Sequence, residues 1–101
     1  MTDSPVVTDN ADESRFEATV DGQVAELVYR RRADRLVLVH TGVPEALGGH
    51  GLGGLLVSAA VDRAAAGALT VVPLCSFARS WLERHPDTAA RARIDWGSDG
   101  S

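Results

Sequence analysis

Hydrophobic and polar positions change period along the chain, and each change predicts an element. Arg15-Phe16-Glu17-Ala18-Thr19-Val20 alternates polar and apolar residues, the two-residue period of a half-buried strand. Asp21-Gly22 is a two-residue hairpin signal, because both residue types accept positive φ, and residues 23–30 resume the pattern with Val24, Leu27, Val28 and Tyr29. Arg31-Arg32-Ala33-Asp34 reads as a polar turn. Leu36-Val37-Leu38-Val39-His40 is then a continuous apolar run, as expected of a central strand covered on both faces, and it ends at Val43-Pro44. The period next becomes helical: Leu52, Leu55, Leu56, Ala59, Ala60 and Ala64 form one stripe, with Ser58, Asp62 and Arg63 off it and Gly67 as the stop. Leu69-Thr70-Val71-Val72-Pro73-Leu74 reads as a second buried strand ending near Pro73. It is expected to run parallel to the first, since a helix has crossed between them. A second helix from Ser76 carries Phe77, Trp81, Leu82 and His85 on one side and stops before Pro86. The expected fold is mixed α/β: an antiparallel three-strand meander, then a helix, a parallel strand and a C-terminal helix. Residues 1–13 and 95–101, rich in Asp, Ser and Gly, are expected to be frayed tails around a domain over residues 14–94.

Composition narrows the function classes. With 101 residues, 45% of them hydrophobic, the chain makes one small domain with a thin core, expected as a monomer or a weak homodimer. A net charge of −4 argues against general affinity for nucleic acid or anionic membrane, so any anion site must be local. No run approaches the roughly 20 apolar residues of a membrane span. Residues 1–14 do not read as a secretion signal, having neither a basic start nor an apolar run. Cys75 is the single cysteine, which excludes an internal disulfide and a cysteine-cluster metal site and fits a cytoplasmic protein. The chain has no lysine, which excludes a Walker A phosphate loop and lysine Schiff-base chemistry.

The densest motif is Gly48-Gly49-His50-Gly51-Leu52-Gly53-Gly54 at the helix entrance. A glycine inside regular structure costs roughly 0.5–1 kcal/mol relative to alanine, so five at a helix start need a reason. An anion is the reason they suggest. Glycines let the backbone approach a ligand, and the unpaired N–H groups and dipole of the first helical turn face its charge. Gly49, Gly51 and Gly54 match the dinucleotide pattern G-x-G-x-x-G, but Pro44-Glu45-Ala46-Leu47 intervenes after the strand. The next strand ends in Pro73-Leu74-Cys75 where a ribose-binding acid would stand, and the chain is too short for two nucleotide halves.

Four blocks read together are more specific: His40-Thr41-Gly42-Val43-Pro44, Gly49-His50-Gly51-Leu52-Gly53, Pro73-Leu74-Cys75-Ser76-Phe77 and Glu83-Arg84-His85-Pro86. In this order and spacing they resemble the small, single-domain branch of the GNAT N-acetyltransferase superfamily, often called YjdJ-type, over residues 15–90. The resemblance implies a minimal GNAT-like fold and acetyl-CoA as cosubstrate. Its pyrophosphate would lie on the backbone of Gly49, His50, Gly51, Leu52, Gly53 and Gly54, and its pantetheine arm along the strand ending at Val43. Two positions depart from the pattern. Gly48 stands where the phosphate motif usually opens with arginine or glutamine, and Gly42 where this branch usually has glutamate.

Acetyl transfer to an amine needs the acceptor deprotonated, the carbonyl polarised and the leaving thiolate protonated. Cys75 lies between a strand end and a helix N-terminus, where the dipole favours thiolate, and the resemblance places it near the acetyl end. It can take the acetyl group or protonate the departing sulfur; the alternative is a small buried side chain with an inert thiol. His40 closes the central strand, and imidazole changes charge near neutral pH, which suits a base; otherwise it ties Thr41 and the following turn. His50 can neutralise phosphate, Glu45 is a lesser candidate base, and His85 reads as a helix terminator beside Trp81. Arg30-Arg31-Arg32 with Arg35 reads as a solvated hairpin end or a surface for an acidic partner. Phe77 and Trp81 read as core, and Trp96 is unexplained. The expected function is acetyl-CoA-dependent N-acetylation of an amine, with the acceptor, a small amine, a peptide or a protein, left open. The alternative is a CoA-binding or protein-interaction module with little or no turnover.

Overall fold

A computed structural model describes residues 6–47 and 51–97, which form a six-stranded sheet in the order β1-β2-β3-β4-β5-β6 with helices packed on it. The strands are β1 (Val7–Asn10), β2 (Arg15–Val20), β3 (Gln23–Arg32), β4 (Arg35–Gly42), β5 (Thr70–Pro73) and β6 (Arg93–Ile94). The first four are antiparallel, while β4–β5 and β5–β6 are parallel. Helix α1 (Leu52–Gly67) connects β4 to β5, and α2 (Ser76–Arg84) and α3 (Pro86–Ala89) follow β5. This is the mixed α/β architecture expected from the sequence. No helix among the described residues is long and apolar enough to cross a membrane.

Hairpin chemistry sets the register of the meander. Asp21 and Gly22 have φ of 52° and 78°, the two left-handed residues of a type I′ turn, and Val20↔Gln23 pairs directly across it. Alternation then puts Phe16, Ala18, Ala25, Leu27 and Tyr29 on the face that α1 covers, together with Leu36 and Leu38 of β4 and Val71 of β5. Against them α1 buries Leu52, Leu56, Val57, Ala60, Val61 and Ala64, and α2 adds Ala78 and Leu82. Helices α1 and α2 lie side by side in this one core, so the helical crossover leaves the other face of the sheet thinly covered.

Four expectations change. The run from Leu36 to His40 is covered on one face only, with Val37 and Val39 half-buried, because both helices pack on the side of Leu36 and Leu38. The buried stripe of α1 includes Val57 and Val61 and leaves Leu55 exposed, because the helix meets the sheet and α2 at once. The described parts of the two ends, residues 6–13 and 95–97, are tied to the domain where tails were expected over 1–13 and 95–101. In the first, Val7–Asn10 pairs with β2, held by Tyr29, whose hydroxyl donates to Asp9 Oδ1 at 2.6 Å, and by an Arg63–Asp9 ion pair that ties β1 to α1. At the other, Asp95 N–H donates to the Val71 carbonyl, Arg35 Nη1 meets Asp95 Oδ2 at 2.6 Å, and Arg79 donates to the Trp96 carbonyl at 2.7 Å. Trp96 is therefore a half-buried flank of the core.

Helix α1 stops at Gly67, but the left-handed residue after it is Ala68, with φ of 56°. A Cβ in that region costs roughly 1–2 kcal/mol, partly offset in a glycine by unfolded-state entropy. Ala68→Gly is therefore expected to raise the unfolding free energy by about 0.5–1 kcal/mol in urea denaturation.

Candidate functional site

The site lies where β4 and β5 separate. Their parallel pairing runs from Arg35↔Thr70 to Leu38↔Pro73 and stops there. Past that point the Leu38 carbonyl accepts N–H bonds from both Leu74 and Cys75, each at 3.0 Å, and the chain turns into α2. Proline at 73 cannot donate a ladder hydrogen bond, which fits the end of pairing. Strand β4 continues to Gly42, so residues 39–42 have no strand beside them on the β5 side among the described residues. Such an edge offers backbone donors and acceptors to an extended ligand.

A bulge reorients this same segment. Tyr29 pairs with Leu38 and Val28 with His40, so Val39 is the extra residue. The bulge inverts the alternation: Thr41, opposite buried Leu27, faces the helices, whereas His40 and Gly42, opposite Val28 and Glu26, face the thinly covered side. His40 and Cys75 consequently adjoin the same stretch of β4 from opposite faces.

Cys75 occupies the N-cap position of α2 with extended backbone angles. Its Sγ lies 3.2 Å from Thr41 Oγ1, a contact that bridges the fork. Burial pushes the thiol up, but hydrogen bonding from the Thr41 hydroxyl, then from the N–H groups of Ala78 and Phe77, outweighs it, and the thiol lies below its ordinary value. The Cys75 side chain closes no formal cap bond on α2. No cluster of three or more His, Cys, Asp or Glu that could hold a metal occurs among the described residues.

The glycines at the start of α1 divide by cause. Gly51 is the N-cap, with φ of 70°, and has no side chain to offer the N–H groups of the first turn. Gly53 and Gly54 answer to packing instead. A Cβ at 53 would stand 2.5 Å from the Phe77 ring, and one at 54 would stand 2.5 Å from Trp81 Nε1. The two rings of α2 are seated on these bare positions, which explains Phe77 and Trp81 as an interhelical joint. Trp81 also stacks on His85 at 3.9 Å, and His85 Nδ1 lies 2.7 Å from the Trp81 carbonyl, so His85 terminates α2 as expected. Gly48, Gly49 and His50 lie outside the described residues.

A family model described as GCN5-related N-acetyl-transferase matches residues 15–91. The chain belongs to this family. Its span covers the meander, the fork, α1, β5 and α2, which are the elements that build a minimal GNAT-like fold. Of the residues expected at a GNAT site, Cys75 and His40 adjoin the fork, Val43 follows β4 half-buried, and Gly51 and Leu52 open α1, with Leu52 buried. Glu45 stands exposed on a short 3-10 turn over Glu45–Leu47, away from these contacts. Sequence reasoning did not single out Thr41, the partner of the Cys75 thiol. Thr41 sits inside a quoted block, and only the bulge reveals which way it faces.

Two measurements probe this arrangement. The pH–rate profile for alkylation of Cys75 by iodoacetamide is expected to have its midpoint below that of a free cysteine peptide, and Thr41→Val, which removes a lowering contact, should move it up. Gly54→Ala is expected to lower stability by about 1–3 kcal/mol in urea unfolding, as an overpacked joint, despite the better helix propensity of alanine.

Proposed function

We propose that this chain binds acetyl-CoA at the fork and transfers its acetyl group to an amine. The observation that carries the reading is the free backbone edge of residues 39–42, flanked by the open N-terminus of α1 and by Cys75. The residues present fit the cosubstrate. Amide groups of a pantetheine arm suit the edge that leads to Val43, and a pyrophosphate suits first-turn N–H groups at Gly51, Leu52, Gly53 and Gly54; Gly49 and His50, outside the described residues, belong to the same proposed set. Bound there, acetyl-CoA supplies an activated thioester carbonyl. Cys75 holds a proton at Sγ, shared with the Thr41 hydroxyl, at the fork where a departing sulfur needs one. On the other face of β4, His40 is an exposed imidazole able to accept a proton from an amine. The exposed position of His40 on the thinly covered face of the sheet favours a peptide or protein amine over a small molecule held in a closed pocket. We place this activity in the cytoplasm, where a free thiol persists.

A second reading, a CoA-binding module with little turnover, is favoured by Gly42, which puts no side chain where this branch usually carries glutamate. Thermal-shift titration with acetyl-CoA, CoA and NAD tests binding: acetyl-CoA at 100 times its Kd should add about 2.7 kcal/mol of stability, and NAD none. Gly51→Asp should abolish the shift through negative charge at the helix entrance while leaving a cooperative unfolding transition. A response to NAD without one to either CoA species would overturn the binding reading. Thiol release that depends on added amine or peptide decides between enzyme and module.

A further inference from the structure

The face of the sheet turned away from the helices carries a pattern of its own. Cross-strand pairing sets three rows on it: Arg15, Val28 and His40; then Arg30, Val37 and Val72; then Arg32, Arg35, Thr70 and Arg93. The three valines are half-buried at the middle of this face, and Arg30, Arg32, Arg35 and Arg93 stand exposed around them. The end of the sheet at the β3–β4 turn gathers Arg30, Arg31, Arg32, Arg35 and Arg93 against Asp34 and Asp95, an excess of three positive charges on a chain whose net charge is −4. Among the described residues only Arg35 of these five has an ion-pair partner, Asp95 at 2.6 Å. The parallel part of a sheet is ordinarily buried on both faces, whereas β4 and β5 are packed by helices on one. Arginine stems lying over valine give partial cover while their charged heads stay in water.

We infer that this face docks an acidic amphipathic helix of a partner protein, with its apolar stripe on Val28, Val37 and Val72 and its carboxylates on Arg30, Arg32, Arg35 and Arg93. Two same-face residues of a strand, such as Arg30 and Arg32, are about 7 Å apart, close to the ~6 Å rise between residues i and i+4 of a helix, so one helical row of glutamates meets successive arginines. Guanidinium and carboxylate pair well, and a valine floor demands aliphatic side chains between the acids. Nucleic acid fits this floor poorly, because no aromatic ring is there to stack a base: Phe16 and Tyr29 lie on the helix-covered face, Phe77 and Trp81 on α2, and Trp96 at the flank of the core. A second copy offers no such helix. Its α1 exposes one acid, Asp62, already paired with Arg91, and its α2 carries Arg79 and Arg84 beside Glu83. The surface stands at the opposite end of β4 from Gly42 and owes nothing to the acetyl-transfer reading.

The test titrates the full chain, labelled with nitrogen-15, with a helical peptide of about 18 residues built from Leu, Ala and Glu, leucines in one stripe and glutamates at its flanks. The same peptide with glutamine for glutamate is the neutral control. The acidic peptide is expected to shift the amides of Val28, Val37, Thr70 and Val72, to leave Gly51 in place, and to bind more weakly as salt is added. Arg30→Glu with Arg32→Glu should weaken it at least tenfold with the rest of the spectrum native, and Val37→Thr should weaken it severalfold at unchanged charge. No shift on this face, equal binding of the glutamine peptide, or unchanged binding in the double variant would overturn the inference. Stronger shifts of the same amides by a short oligodeoxythymidylate would overturn it in favour of nucleic acid. A dimer in sedimentation that Arg30→Glu dissociates would overturn it in favour of a second copy.

Discussion

The Leu38 carbonyl accepts the N–H groups of both Leu74 and Cys75, and the geometry of the cleft depends on that double acceptance. In a parallel ladder only every second N–H turns to a given partner strand, and each such bond reaches a carbonyl further along it. Here two donors in sequence share one acceptor, so β5 stops advancing while β4 runs on through four more residues. The unpaired edge of β4, the placing of Cys75 at the start of α2 and the reach of Thr41 across the gap are all consequences. Pro73 reinforces the break, since it withholds a ladder donor at the last paired position.

The bulge at Val39 supplies the second half of the design. Without it, His40 would point into the core with Leu38, and burying an imidazole there would need a partner that the apolar interior does not offer. With it, one strand serves both faces: Thr41 turns toward the thiol, and His40 and Gly42 turn toward Glu26. The one-sided packing of the sheet makes this useful, because a side chain on the uncovered face stays accessible. GNAT membership and the fork describe the same architecture from the family and from the hydrogen bonds.

Much of this was legible in the chain before any coordinates. Asp21-Gly22 announced its turn, the change from a two-residue to a helical period located α1, and Pro73 and Pro86 bounded β5 and α2 closely. What escaped has a common origin in tertiary contact. Val7–Asn10 and Arg93–Ile94 are strands because neighbours offer them edges, and their own residues are too polar or too few to declare it. The sidedness of the apolar run over β4 depends on where two helices settle. Glu26 could not be joined to Gly42 without the register of β3 on β4, and that register contains the bulge. The glycine motif was visible, but one of its constraints was not: Gly53 and Gly54 are small because aromatic rings on α2 occupy the space.

That last contact ties together two places that the chain separates by more than twenty residues. Phe77 and Trp81 seat α2 on the opening turn of α1, and Cys75 stands at the head of the same α2. The opening turn of α1 and the head of α2 that carries the thiol are therefore joined by packing. A displacement of that turn is carried to the thiol, and by thermodynamic reciprocity a displacement of the thiol is carried back, with two aromatic rings as the mechanical link between them.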